Sequence, residues 1–215
     1  AALFCYYIVP QKFIRVRNAV LLLFSLFFYF YGEPRLIGIL IFSILMNYLF
    51  GLSMRSTYRK PLLILCVIAN LSLLGVFKYL NFFISSADSL FGLGIPVTGI
   101  VMPIGISFYT FQALSYVIDV YRREVPPQHD PFSLALYVSM FPQLIAGPIV
   151  RYSDIEAQID SREISIGKIG DGVSVFIRGL AKKVILANTI GAVWTSVKAM
   201  DYTALPAATA WIGIL

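Results

Sequence analysis

The sequence predicts an all-α fold: a polytopic transmembrane helical protein with interrupted or re-entrant segments. Three observations carry this reading. The 215 residues are 59% hydrophobic and only 13% charged, whereas a soluble domain carries about 25% charged residues. Mean hydropathy is +0.81. The basic residues that give a net charge of +6 sit in short clusters between apolar runs, as juxtamembrane topology signals do. This placement argues against a nucleic-acid partner and for the lipid bilayer. At about 20 apolar residues per spanning helix, the chain supplies roughly six to eight passes. Residues 1–215 therefore read as a single membrane domain. Cys5 and Cys66 lie inside apolar segments, which points to neither a disulfide framework nor a metal cluster.

The elements follow in order from apolar runs too long for strands. Residues 1–9 are already apolar and read as a helix cut at its start. The first clear spans are 19–32 and 36–54, joined by the Gly32-Glu33-Pro34 corner, where proline breaks a helix interior. Spans at 61–84 and 100–121 are separated by Ser85, Ser86, Asp88 and the turn residues 92–96. Residues 132–150 are apolar but contain Pro142, Gly147 and Pro148. Such backbone survives at membrane depth only beside protein or water, which favours a re-entrant path or a buried bend. Residues 173–199 read as a helix, and another begins at 204. The run ending at Leu215 has no cap, proline or charged flank, so the chain reads as part of a longer protein.

Orientation follows from basic residues near span ends. Lys12, Arg15 and Arg17, then Arg55, Arg59 and Lys60, then Arg122 and Arg123 all fall on one side, which the rule makes cytoplasmic. The net-acidic stretch 151–171 does not decide its own side. Arg178, Lys182 and Lys183 form a basic stripe on an apolar helix, placing its first half at the cytoplasmic interface with the lysines snorkelling.

Polar residues within apolar spans are the candidates for function. Gln112, Ser115 and Asp119 are spaced i, i+3, i+7 and share one helical face. That face either lines a wet cavity or bonds a neighbouring helix, with Asp119 then paired to Arg122 or Arg123. Gln143 and Arg151 bracket the proline-interrupted segment; Arg151 can grip a phosphate or carboxylate or anchor the interface. His129 is the sole histidine, in a proline-flanked loop beside Asp130. It reads as a hydrogen-bonded loop residue, and one histidine cannot build a multi-histidine zinc site. No Walker loop, dinucleotide fingerprint or nucleophile elbow occurs, so spacing alone assigns no catalytic residue.

Two stretches carry a resemblance: Met102-Pro103-Ile104-Gly105-Ile106-Ser107-Phe108-Tyr109-Thr110-Phe111-Gln112, continuing through Ser115 and Asp119 to Arg122, and Phe141-Pro142-Gln143-Leu144-Ile145-Ala146-Gly147-Pro148-Ile149-Val150-Arg151. They resemble the membrane-bound O-acyltransferase family, in its bacterial, alginate-acetylating branch. Residues Gly179 to Ala187, the basic turn before residue 19 and Phe77-Lys78-Tyr79-Leu80-Asn81 fit the same branch, so the resemblance runs through nearly the whole chain.

The resemblance implies a multi-pass inner-membrane enzyme, needing no metal, that takes an acetyl group from cytoplasmic acetyl-coenzyme A toward an extracytoplasmic polysaccharide such as alginate. Periplasmic acetyltransferase partner proteins are implied for the final transfer. It also implies a catalytic histidine in a Trp-His-Gly context downstream of Leu215; no such tripeptide occurs here, and the role does not pass to His129. Under this reading Gln112, Ser115, Asp119, Gln143 and Arg151 line the substrate passage. Arg178, Lys182 and Lys183 contact donor phosphates or anionic lipid. Acylation of cell wall or teichoic acid by a sister branch, and a transporter or flippase, are the alternatives.

Overall fold

A computed structural model describes residues 1–215 apart from 93, 146, 201–205, 207, 209, 210 and 212–215. The described residues are helical and contain no strand. They form two compact units, Ala1–Arg162 and Glu163–Leu215.

The first unit comprises α1 (Ala2–Ile8), α2 (Ile14–Gly32), α3 (Ile37–Ser53), α4 (Arg59–Leu74), α5 (Leu80–Phe91), α6 (Ile106–Arg122), α7 (Pro131–Ser139), the single turn α8 (Phe141–Leu144) and α9 (Tyr152–Asp160). A π-helical turn, Gly75–Tyr79, makes α4 and α5 one continuous rod. Two stretches, Ile14–Gly32 and Arg59–Phe91, are long and apolar enough to cross a membrane, and Ile37–Ser53 is a shorter apolar helix. At about 1.5 Å per residue, the 19 residues of α2 match a hydrocarbon layer of about 30 Å. Leu23, Phe27 and Phe30 of α2 and Ile64, Leu65 and Ile68 of α4 are exposed, an outer surface suited to lipid rather than water.

At the centre lies α6, with ten of its residues buried, Gln112 and Asp119 among them. Helices α3 and α4 pack along α6, α2 packs along α7, and α9 closes on α6. Between α3 and α4, Asn47 and Asn70 face each other as a reciprocal amide pair, donating to one another's Oδ1 at 3.0 and 2.9 Å. Both are fully buried. Where α3 meets α6, Gly51 lets the chains approach: a Cβ there would fall 2.7 Å from the Tyr116 ring and hydroxyl. Tyr116 cannot retreat, being fully buried and accepting a hydrogen bond from the Gln128 N–H at 2.9 Å. Overpacking then outweighs alanine's better helix propensity of about 1 kcal/mol. Gly51→Ala is expected to destabilise the protein by about 1–3 kcal/mol, read as a lower Tm in detergent. An unchanged or higher Tm would show that α3 is free to move.

The boundaries differ from the sequence reading wherever tertiary bonds recruit residues. The first clear span begins at Ile14, not 19, so Arg15 and Arg17 lie inside the helix. Arg17 is buried, donates from Nε and Nη2 to the Val9 carbonyl at 2.9 and 2.6 Å, and stacks on the Tyr6 ring, which Arg162 also approaches. Its charge holds α1 against α2. The span read as 61–84 continues to Phe91, keeping Ser85, Ser86 and Asp88 helical, and stops at left-handed Gly92. The span read from 100 begins at Ile106. Before it, the Ile104 N–H donates to the Glu33 carboxylate at 3.0 Å, Asn81 brackets Thr98 through its N–H and C=O, and Lys78 Nζ reaches Ser107 Oγ at 3.0 Å. The Phe77–Asn81 stretch thus straps the approach to α6. Within 132–150 the helix is interrupted at Met140, just before Pro142. The connection read at 151–171 contains α9, tied by Asn18 Nδ2 to the Ile159 carbonyl at 2.9 Å.

In the second unit, α10 (Ile166–Ala181), a π-helical stretch Lys182–Ala187 and α11 (Asn188–Lys198) form one rod. It starts at Ile166 rather than 173 because the Ser165 hydroxyl caps it, accepting from the Lys168 N–H at 3.2 Å. The helix read from 204 onward lies outside the described residues, apart from Pro206, Ala208 and Trp211.

Candidate functional site

The helix break at Met140 frees backbone groups in the buried centre of the first unit. In an unbroken helix the Phe141 N–H would donate to the Tyr137 carbonyl. Here it turns to Ser25 Oγ of α2 at 3.3 Å. The vacated Tyr137 carbonyl accepts instead from Gln112 Nε2 of α6 and Gln143 Nε2 of α8, each at 2.9 Å. Two amide side chains converging on one carbonyl bind α6, α7 and α8 together. The Ser115 hydroxyl returns to the Gln112 carbonyl of its own helix at 2.8 Å.

The same junction is closed from below by tyrosines. The Tyr137 hydroxyl donates to the Val150 carbonyl at 2.7 Å. Its ring meets Tyr152 edge-on at 5.2 Å, and Tyr152 meets Tyr116 at 5.0 Å. Gln128 Nε2 donates to the Tyr152 hydroxyl at 2.6 Å. On α9, burial pushes the Tyr152 phenol well above its usual range. Burial, and then the Asp160 carboxylate, raise Glu156 above an ordinary glutamate.

At the end of the seam stands Asp119, 4% exposed. Its Oδ2 is buried without a hydrogen-bond partner among the described residues. Arg122, one of the two residues expected to neutralise it, pairs with Glu124 at 3.0 Å instead. Arg151 and Arg122 attract the Asp119 charge from nearby, while Glu124 and Asp154 oppose it. Arg151 itself is exposed at the start of α9. Thus Gln112, Gln143 and Ser115 join at the break, with Asp119 and Arg151 at its edge. Arg178, Lys182 and Lys183 belong to the second unit and are exposed; Arg178 Nε donates to the Ser174 carbonyl one turn back. The His129 side chain is exposed, and its carbonyl accepts from the Tyr48 hydroxyl at 2.7 Å.

Cavities open in the first unit. One of about 1000 Å³ borders Arg15, Asn18, His129, Asp130 and Asp160. Another, of about 790 Å³, borders Arg55, Arg59, Arg123 and Glu124. Among the described residues, no group of three or more His, Cys, Asp or Glu side chains is placed to hold a metal.

Sequence reasoning missed Tyr137, Ser25 and the tyrosine trio. Their parts rest on a backbone carbonyl and on ring contacts, which leave little mark in composition. Sequence reasoning also missed Asn47 and Asn70, which their position as lone amides in apolar runs could have signalled.

The two long motifs meet physically, because Gly105 of the first abuts Leu144 of the second and Gln112 and Gln143 share one acceptor. Known proteins carry the same segment. The chain is 37% identical over 212 residues to the "Probable alginate O-acetylase AlgI" of Pseudomonas aeruginosa, covering 94% of this chain and 40% of that one. Over almost its whole length the chain is similar to proteins named alginate O-acetylase. This agrees with the membrane-bound O-acyltransferase resemblance that the motifs carry. The like-named protein of Pseudomonas putida is 35% identical over 98% of the chain and 44% of its own length. A peptidoglycan O-acetyltransferase of Helicobacter pylori is 35% identical over 78% of the chain and 38% of its own length. The chain spans about two fifths of the length of these curated relatives. No family model and no solved structure matches it.

Proposed function

We propose that this chain is the helical wall of a multi-pass inner-membrane O-acetyltransferase. The enzyme moves an acetyl group from cytoplasmic acetyl-coenzyme A to an extracytoplasmic polysaccharide, with periplasmic acetyltransferases as partners. The observation that supports this most is the similarity, over almost the whole chain, to proteins named alginate O-acetylase. The physical logic suits a thioester donor: the charged cofactor stays in water while its thin acyl arm enters a low-dielectric passage where few waters compete. The amide-locked break fixes the passage wall formed by Gln112, Ser115 and Gln143. Asp119 and Arg151 supply its charges. Arg178, Lys182 and Lys183 meet donor phosphates or anionic lipid. The similarity to a peptidoglycan O-acetyltransferase favours a second reading in which the acceptor is cell-wall glycan.

Full-length protein in proteoliposomes should release coenzyme A from acetyl-coenzyme A only when an acceptor glycan or the partner is present. Glycan accumulating in vesicles without thioester consumption would identify a transporter instead. Asp119→Asn separates function from packing. Removing a buried, unpaired charge leaves Tm at or above that of the parent. In the reaction Asp119 makes one charge-assisted bond to the substrate, worth about 1.5 kcal/mol, and its loss lowers transfer roughly ten-fold. A folded variant with full transfer gives Asp119 no part in the reaction.

A further inference from the structure

The basic residues at the α3–α4 turn and at the end of α6 do more than mark topology. Arg55 and Arg59 from the turn and Arg123 from the end of α6 border one cavity of about 790 Å³. Met54, Val120 and Val125, which also border it, are buried, and Ser56 and Thr57 add polar lining. Glu124 also borders it but is held by Arg122 at 3.0 Å, and among the described residues no carboxylate pairs with Arg55, Arg59 or Arg123. Three arginines therefore border one space whose one bordering carboxylate, Glu124, is already engaged by Arg122.

Two features pre-position them. Arg59 is half-buried and lies over the Tyr121 ring at 5.5 Å, which limits its rotamers. Arg123 sits at φ +65°, and no other non-glycine among the described residues has a positive φ. Helices that end in this way usually place glycine there; here the left-handed position delivers a side chain to the rim. The volume exceeds that of a bare phosphate and falls in the range of small-molecule sites. Three planar guanidinium donors beside a mixed polar and apolar lining suit a ligand that carries phosphate oxygens.

We propose that Arg55, Arg59 and Arg123 form a binding site for a phosphate-bearing ligand, either an anionic phospholipid headgroup or a soluble nucleotide-type phosphate. The soluble arm, probed with coenzyme A, rests on the acetyl-transfer reading; the lipid arm does not.

The test uses full-length protein in nanodiscs. In phosphatidylcholine discs, coenzyme A binding is measured by thermophoresis for the parent, for Arg55→Gln/Arg59→Gln and for Lys60→Gln, which removes a nearby exposed charge outside the cavity. In discs containing phosphatidylglycerol, retained lipid is counted by native mass spectrometry for the same three proteins. At least ten-fold weaker coenzyme A binding in the double variant alone supports a soluble ligand. Loss of retained phosphatidylglycerol in the double variant alone supports a lipid. Equal losses in Lys60→Gln, or no binding of either probe to the parent, overturns the site. Should the double variant fail to fold, exposed Arg55→Gln repeats the comparison with an expected loss of about three-fold. A failed coenzyme A release assay with phosphatidylglycerol still retained would overturn the acetyl-transfer reading and leave the site standing.

Discussion

Replacing Gly105 by alanine is expected to destabilise the protein by about 3 kcal/mol or more, because two independent penalties coincide. The residue opens α6 at φ +74°, and a Cβ would lie 2.6 Å from the Leu144 carbonyl oxygen. The left-handed conformation alone costs a side chain about 1–2 kcal/mol. The steric penalty cannot be relieved by a rotamer change, since the obstructing atom is backbone. Moving it would pull α8 away and disturb Gln143, which shares the Tyr137 carbonyl with Gln112. Thermal unfolding of full-length protein in detergent measures the loss. Asparagine at 105, which tolerates the left-handed region but carries the same Cβ, should recover only part of it. Parental stability in Gly105→Ala would mean that the two motifs do not touch.

The second large effect is expected at the α3–α4 interface. Asn47→Leu removes both bonds of the reciprocal amide pair and the Nδ2 donation to the Ser43 carbonyl. It leaves Asn70 Oδ1 buried without its partner. An unsatisfied buried amide costs about 1–3 kcal/mol, and the new leucine must also fit beside Cys66. A loss of about 2–3 kcal/mol follows for the single variant. Asn47→Leu/Asn70→Leu should be less destabilised than the sum of the two single losses, because no orphaned acceptor remains. Within a membrane such coupling averages about 0.6 kcal/mol and reaches about 1.7, so the double-mutant cycle must resolve that difference. Strict additivity would remove the pair from the list of bonds holding these helices.

The same contrast between local and long-range causes explains what could be read in the sequence. Apolar runs placed α2, α3 and α4 because burial or lipid demands them whatever the partner. Pro142 marked the interruption near 140 because a missing donor acts locally. Arg17 shows the limit: counted as a water-facing topology signal, it is buried and bonded to Val9, since α1 and Tyr6 offered it a partner no local pattern reveals. Likewise α6 starts six residues later than its apolar run. Glu33, 71 positions away, accepts the Ile104 N–H and holds that segment outside the helix. At the candidate site the i, i+3, i+7 spacing put Gln112, Ser115 and Asp119 on one face. The destination of Gln112, a backbone carbonyl freed 25 residues further on, has no side-chain signature. The expected pairing of Asp119 with Arg122 failed because the turn at Arg123 brings Glu124 to Arg122.

The measurement that bears most directly on the account follows the acetyl group itself. Full-length protein, with its partner, is reconstituted in sealed proteoliposomes containing acceptor glycan on one side, and acetyl-labelled acetyl-coenzyme A is supplied only on the other. The account predicts base-labile O-acetyl label on the enclosed glycan, matched by coenzyme A released outside. Label that stays on the donor, or that enters the lumen still attached to coenzyme A, would contradict it.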